Sequence, residues 1–172
     1  LREAGLLFTV ETAAVEETAG GNLGLGELVT VNARAKAMAV AAAHPRSVVI
    51  GADTLIRLEG RLLGKPAGLG DARRMLRALS GKTHEVATGV HLARMDPRQN
   101  VEFHEVTRVT FRKLDALAVE EYLARVDVLD KAGAYALQEH GELLIEAVEG
   151  SRSNVVGLPV ERTLAALRNF DL

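Results

Sequence analysis

Val48-Val49-Ile50-Gly51-Ala52-Asp53-Thr54 is the stretch that decides how this chain is organised. The β-branched run at 48–50 predicts a buried strand, and Gly51-Ala52-Asp53-Thr54 closes it with a carboxylate at the strand's end. Open α/β sheets bind ligands beyond such strand ends, and small residues at 51 and 52 let a ligand approach the backbone. On these residues alone Asp53 is either a ligand-facing carboxylate or the cap of a turn.

Working upstream, Leu28, Val31, Ala35, Met38 and Ala42 recur at helical spacing and predict a helix over residues 27–43, stopped by Pro45. Residues 11–26 are acidic and glycine-rich (Glu16, Glu17, Gly20, Gly21, Gly24, Gly26), which suggests a mobile surface loop. The apolar run 6–10 reads as a short strand. Leu1-Arg2-Glu3-Ala4-Gly5 reads as a helix tail stopped by Gly5, so a preceding strand and helix start are expected in the full protein.

Downstream, residues 55–64 read as a hairpin turning at Glu59-Gly60, and Asp71 as the N-cap of a helix to residue 79. That helix carries Met75, Leu76 and Leu79 on one face and stops at Gly81. Two long β-rich segments follow, 83–95 and 101–113, joined by a loop Asp96-Pro97-Arg98-Gln99-Asn100. Asp115 caps a further helix to about residue 125. A strand at 143–148, a polar turn at 149–154 and a helix over 159–169 complete the chain. Strands alternating with helices around one long hairpin imply an α/β domain over residues 1–172.

Composition narrows the chemistry. With 48% apolar and 26% charged residues the chain can bury a real core, but with 3% aromatic residues and no Trp that core must be Leu, Val and Ala. Twenty-one Lys and Arg against 23 Asp and Glu, a net charge of −2, argue against binding a nucleic-acid polymer. A nucleotide needs only a few placed cations and stays open. The absence of Cys excludes disulfides, zinc thiolates and a cysteine nucleophile, and is compatible with a reducing cytoplasm. The apolar stretches fall short of the roughly 20 residues that span a bilayer, so no membrane partner is expected. No signal-peptide pattern is visible.

Several polar clusters could carry chemistry. Lys65, held between Gly64 and Pro66, sits on a stiffened turn that would aim its ammonium at a phosphate; a plain surface lysine is the simpler reading. Lys82, Thr83 and His84 lie at a helix-to-strand junction. Asp130-Lys131-Ala132-Gly133-Ala134-Tyr135, followed by Gln138, forms another ligand-facing turn, and Ser151-Arg152-Ser153-Asn154 a third. The five histidines lack zinc spacing, and His84 and His91 should lie on opposite faces of one strand. They read as surface or packing residues, with His84 able to orient a neighbour. There is no Walker loop and no GxGxxG. Bound phosphates would therefore be held by scattered cations and a divalent metal, for which Glu16, Glu17 and Asp53 are the right ligand type.

Singly these signals are weak, but their order is not. Gly51-Ala52-Asp53-Thr54, Gly64-Lys65-Pro66, Leu79-Ser80-Gly81-Lys82-Thr83-His84-Glu85-Val86, Thr88-Gly89-Val90, Asp130-Lys131-Ala132-Gly133-Ala134-Tyr135 and Ser153-Asn154-Val155-Val156-Gly157-Leu158-Pro159 follow one another as in the Maf family. Asn32-Ala33-Arg34-Ala35-Lys36-Ala37 also resembles that family's helix motif. The resemblance covers nearly the whole chain.

The resemblance implies a nucleotide pyrophosphatase. Its fold would be an elongated mixed sheet flanked by helices, in two lobes with a cleft, similar to the inosine-triphosphate pyrophosphatases. It also implies a divalent cation (Mg or Mn), a homodimer and a cytoplasmic setting. Asp53 matches the proton acceptor, with Glu17, or less closely Glu16, as the loop glutamate that holds metal together with Asp53. Lys36 and Lys65 match phosphate-facing lysines, and Thr54 and Gln138 the positions that select the base. Lys82, His84, Asp130, Lys131, Ser153 and Asn154 fall in the remaining substrate-facing blocks. Thr after the Asp resembles the subgroup acting on dTTP and UTP.

Two departures stand out. The family's opening Ser-x-Ser-Pro-Arg-Arg loop, a source of phosphate contacts, is not in this sequence and is expected ahead of Leu1. Ala136-Leu137-Gln138 stands where the family usually has a Gly and an Ile. Asp53, Glu17, Lys36 and Lys65 are expected to converge on one cleft, where water attacks the α-phosphorus and pyrophosphate leaves. The rival readings are a pyrophosphatase for modified or purine nucleotides such as 7-methyl-GTP, and a non-catalytic regulator of cell division at the septum.

Overall fold

The computed structural model describes residues 1–20 and 22–171, leaving Gly21 of the expected loop outside the described residues. The strand expected at 48–50 runs on through the carboxylate, so that β1 spans Val49–Leu58. Ala52, Asp53 and Thr54 pair with Val90, Gly89 and Thr88 of β3 (Thr83–Met95). Asp53 therefore stands in mid-strand and not at a strand's end. A continuous ladder to β3 overrides the break suggested by Gly51.

The hairpin turns at Glu59 and Gly60 as expected, with β2 at Arg61–Leu63. β4 covers Arg98–Phe111 and β5 Ile145–Glu149. The order is β2-β1-β3-β4-β5, and every pairing is antiparallel, where a mixed sheet was expected. The tight turns between β1 and β2 and between β3 and β4 force those pairs to reverse. The pairs β1–β3 and β4–β5, whose connections carry helices, are antiparallel as well. The segment read as a loop at 96–100 shrinks to Asp96-Pro97, because Gln99 and Asn100 pair with Arg94 and Ala93. β2 pairs only with residues 56–58 of β1, so among the described strands residues 49–55 are paired on one edge only.

One face of the sheet is covered by α1, Leu25–Ala41. Its buried stripe, Leu25, Val29, Ala33, Ala37 and Ala41, is mostly small and lies directly on two strand glycines. A Cβ on Gly51 would stand 2.3 Å from the Ala33 carbonyl oxygen, and one on Gly89 2.3 Å from that of Val29. The helix thus rests against backbone.

The other face carries α2 (Leu69–Leu79), α3 (Ala116–Arg125), α4 (Arg152–Val156) and α5 (Val160–Leu167). Two apolar clusters form there. One gathers Ile56, Val86, Val109 and Phe111 with Leu76, Leu79, Val119 and Tyr122. The other gathers Val90, Leu92, Ile50 and Phe103 with Ala166, Leu167 and Phe170.

Asp115 caps α3 as expected, accepting the Ala118 N–H at 2.8 Å. Asp71 does not cap α2. It lies in the first turn and accepts the Ala67 N–H at 3.0 Å, reaching back over a helix that starts after Gly68. The polar turn at 149–154 contains the start of α4, because the Ser151 side chain accepts the Asn154 N–H. Residues 6–10 are not a strand. Leu7 and Val10 are exposed, and no neighbour completes a ladder there. Among the described residues no helix is long and apolar enough to cross a membrane.

Candidate active site

Two polar side chains of α1, the buried Asn32 and the half-buried Lys36, stand one helical turn apart and are both aimed at Asp53. Lys36 Nζ lies 2.6 Å from Asp53 Oδ1 and 2.7 Å from Glu17 Oε1. The Asn32 amide donates to Asp53 Oδ2 at 3.1 Å and to the Thr18 carbonyl at 3.2 Å, while its oxygen accepts the Thr18 N–H at 2.9 Å. Asn32 thus pins the loop that carries Glu17 to the strand that carries Asp53. Asp53 is only 6% exposed, so both of its oxygens are held by donors in a nearly dry site. Burial pulls the Lys36 pKa down, but the hydrogen bonds its ammonium donates to Asp53 and Glu17, and the charges of those carboxylates, outweigh it, and the net shift is upward. The ammonium stays charged.

Thr54 faces the other way, as strand alternation requires. It lies opposite Thr88, and the pair forms a polar seam between the two apolar clusters, with Ile56 and Val86 on one side and Ile50 and Val90 on the other. A cleft of about 420 Å³ opens beside this seam, lined by Thr54, Lys65, Lys131, Tyr135 and Gln138 among others. Its size suits a small-molecule ligand. Lys131 bonds Asp130 at 3.0 Å and Glu139 at 3.3 Å. The Asp130 hydrogen bond raises the Lys131 pKa against the opposing effect of burial.

The Maf-like protein family matches residues 1–170. The chain belongs to that family. A dTTP/UTP pyrophosphatase of Akkermansia muciniphila is 46% identical over 170 residues, covering 99% of this chain and 89% of that protein. A dTTP/UTP pyrophosphatase of Bacillus cytotoxicus is 42% identical over 171 residues, covering 99% and 88%.

Of the residues the Maf resemblance singled out, Glu17, Lys36 and Asp53 come together, and Thr54, Lys65, Asp130, Lys131 and Gln138 share the cleft. Lys65 does not join Asp53. The two lie on opposite faces of β1, because Asp53 and Thr54 are neighbours on a strand and Lys65 sits with Thr54. Four further residues take packing or surface roles. Lys82 is exposed and bonds Glu59 of the β1–β2 turn at 3.1 Å. Ser153 Oγ accepts the Val160 N–H and bonds Glu161, fixing the corner between α4 and α5. Asn154 is wholly buried, its amide donating to the Val86 carbonyl and to Thr107 Oγ1.

His84 is a core residue that orients a lining one. Its Nε2 lies 2.7 Å from the Tyr135 hydroxyl, and its ring packs edge-on against Phe111. Burial lowers its pKa to about 4. The unfolded chain therefore takes up this proton near pH 6.5 and the fold does not until about 4, so stability is lost as pH falls through that window. By pH 5 the loss from this group is about 2 kcal/mol. Urea titrations at pH 7 and 5 should show it in the wild type and not in His84→Gln. An equal drop in both proteins would remove His84 as its source.

Asn32 and Thr88 are site residues that sequence reasoning left without a role. A polar residue on an otherwise apolar helix stripe is the signal that points to Asn32.

Proposed function

We propose that this chain hydrolyses nucleoside triphosphates, dTTP and UTP ahead of the others, to the monophosphate and pyrophosphate. The observation that carries this is the Asp53–Lys36–Glu17 cluster beside the stretch of β1 that is paired on its β3 edge only, with Thr54 and Gln138 in the cleft near the other edge. The names of the relatives agree with it. A nucleotide straddling the edge would set its base against Thr54 and Gln138 and its phosphates towards Asp53.

The chemistry is attack of water on the α-phosphorus, with the proton passing to Asp53 and pyrophosphate leaving. Lys36 holds the Asp53 carboxylate in place and offsets phosphate charge, and Lys65 adds charge from the cleft side. Glu17 and Asp53 fit a divalent cation such as Mg or Mn, since their oxygens converge within 2.7 Å of one ammonium. No third His, Asp or Glu joins them among the described residues, so water and phosphate oxygens would complete its shell. Such an ion, when bound, supplies charge neutralisation on the phosphates. The proposal includes a cytoplasmic homodimer with no nucleic-acid polymer and no membrane as partner.

Turnover of dTTP, UTP, CTP, ATP, GTP and 7-methyl-GTP by the full-length protein, with Mg or Mn and then with EDTA, tests the reading. One pyrophosphate per monophosphate is expected, with dTTP and UTP at least about tenfold ahead in kcat/KM and EDTA abolishing activity. Faster cleavage of GTP or 7-methyl-GTP would overturn the base assignment, and full activity in EDTA would overturn the metal.

A further inference from the structure

Thr54 meets the cleft with a hydroxyl, a group able to donate or accept. Its surroundings decide which. Thr54 Oγ1 lies 2.9 Å from Thr88 Oγ1 and 3.4 Å from the Gly157 carbonyl oxygen. Thr88, fully buried, lies in turn 3.2 Å from the Asn154 carbonyl oxygen.

Two hydroxyl protons are shared among these atoms, and two arrangements use both while placing a proton between the hydroxyl oxygens 2.9 Å apart. In one, Thr88 donates to Asn154 and Thr54 donates to Thr88. In the other, Thr88 donates to Thr54 and Thr54 donates to Gly157. Either way the Thr54 proton is directed into the protein, and a lone pair is left for the cleft.

We propose that Thr88 and the Asn154 and Gly157 carbonyls make Thr54 a hydrogen-bond acceptor only, so that the cleft selects bases carrying a ring N–H. This rests on the reading that Thr54 edges the base. In a uracil or thymine nucleotide N1 carries the sugar and N3–H is the base's one N–H donor. Cytosine presents a bare N3 lone pair instead, which would face the lone pair of Thr54 unpaired. Thr88 is then a positioning residue. It touches no substrate and acts through the direction of its neighbour's proton.

The test compares the UTP-to-CTP ratio of kcat/KM in the wild type, Thr88→Val, Thr88→Ser and Thr54→Val. Valine keeps the shape of Thr88 but removes its hydroxyl. The Thr54 proton then has only the distant Gly157 carbonyl, and can turn to the ligand. The Asn154 carbonyl retains the Gly157 N–H at 2.9 Å, so the variant should fold. Thr88→Cys, of similar size with a weak thiol, replaces it should it not.

The ratio is expected to fall at least about tenfold in Thr88→Val and to survive in Thr88→Ser, which a purely structural role of Thr88 would not produce. An unchanged ratio in Thr88→Val alongside a collapsed one in Thr54→Val would overturn the positioning role while leaving the base-edge reading intact. A wild type indifferent to UTP and CTP would sink the base-edge reading, and the inference with it.

Discussion

Asp53→Asn is expected to lower pyrophosphate release at least about 100-fold per folded molecule. The carboxylate offers one oxygen to Lys36 at 2.6 Å and the other to the Asn32 amide at 3.1 Å. An amide has one oxygen only, so its NH₂ must confront one of those two donors inside the protein. The variant therefore loses its proton acceptor and also leaves a buried donor unpaired, costing about 1–3 kcal/mol of stability. Steady-state turnover together with urea denaturation separates the two effects. A folded Asp53→Asn protein with near-normal kcat would show that the carboxylate only holds α1 to the sheet.

The largest expected effect on stability comes from residues that carry no chemistry. Gly89→Val and Gly51→Val should each cost about 3 kcal/mol or more. The first Cβ would lie 2.3 Å from the Val29 backbone and the second 2.3 Å from that of Ala33. Backbone cannot rotate out of the way, so α1 must move as a body. Lys36 and Asn32 move with it, and the contacts to Asp53 lengthen. Activity should fall even where the variant still folds. Because both substitutions push on one helix, their combined cost should be less than the sum. A loss under about 1 kcal/mol in either would mean that α1 is held more loosely than this packing implies.

How far this molecule was legible from its residues varies with the range of the interaction. The helix α1, the Glu59-Gly60 turn, the Asp115 cap and the paired β-rich segments follow from neighbours close in the chain, and all appear in the structure. Of the stripe expected on α1, however, only Leu28 is buried and Ala35 and Ala42 are exposed, because contact with Gly51 and Gly89 selects the face of Val29, Ala33 and Ala37 instead. The misplacements share one cause. Gly51-Ala52-Asp53-Thr54 resembles a strand ending because small and acidic residues disfavour strands, yet β3 supplies a ladder that carries β1 through them. The apolar run at 6–10 met the opposite outcome, since good strand composition without a partner forms no strand. Ser153, Asn154 and His84 looked substrate-facing because polar residues in ordered motifs suggest function. Burial among backbone carbonyls and rings gives Asn154 and His84 structural work instead.

The order of its motifs, by itself, determined the family of this chain and the residue types available for chemistry: one carboxylate on β1, lysines spaced along the chain, no thiol and no glycine-rich phosphate loop. Only the tertiary structure decided which of them meet. Period-two alternation sends Asp53 to α1 and Thr54 to the cleft, and that separates Lys36 from Lys65 although both were matched to phosphate. The physical reason is that residue type and spacing act along the chain, whereas pairing, burial and proton direction are settled by atoms that arrive from elsewhere in it. Thr88 shows this most directly. It is one threonine in a β-rich run until the Asn154 carbonyl and the Thr54 hydroxyl come within hydrogen-bonding distance from far along the chain.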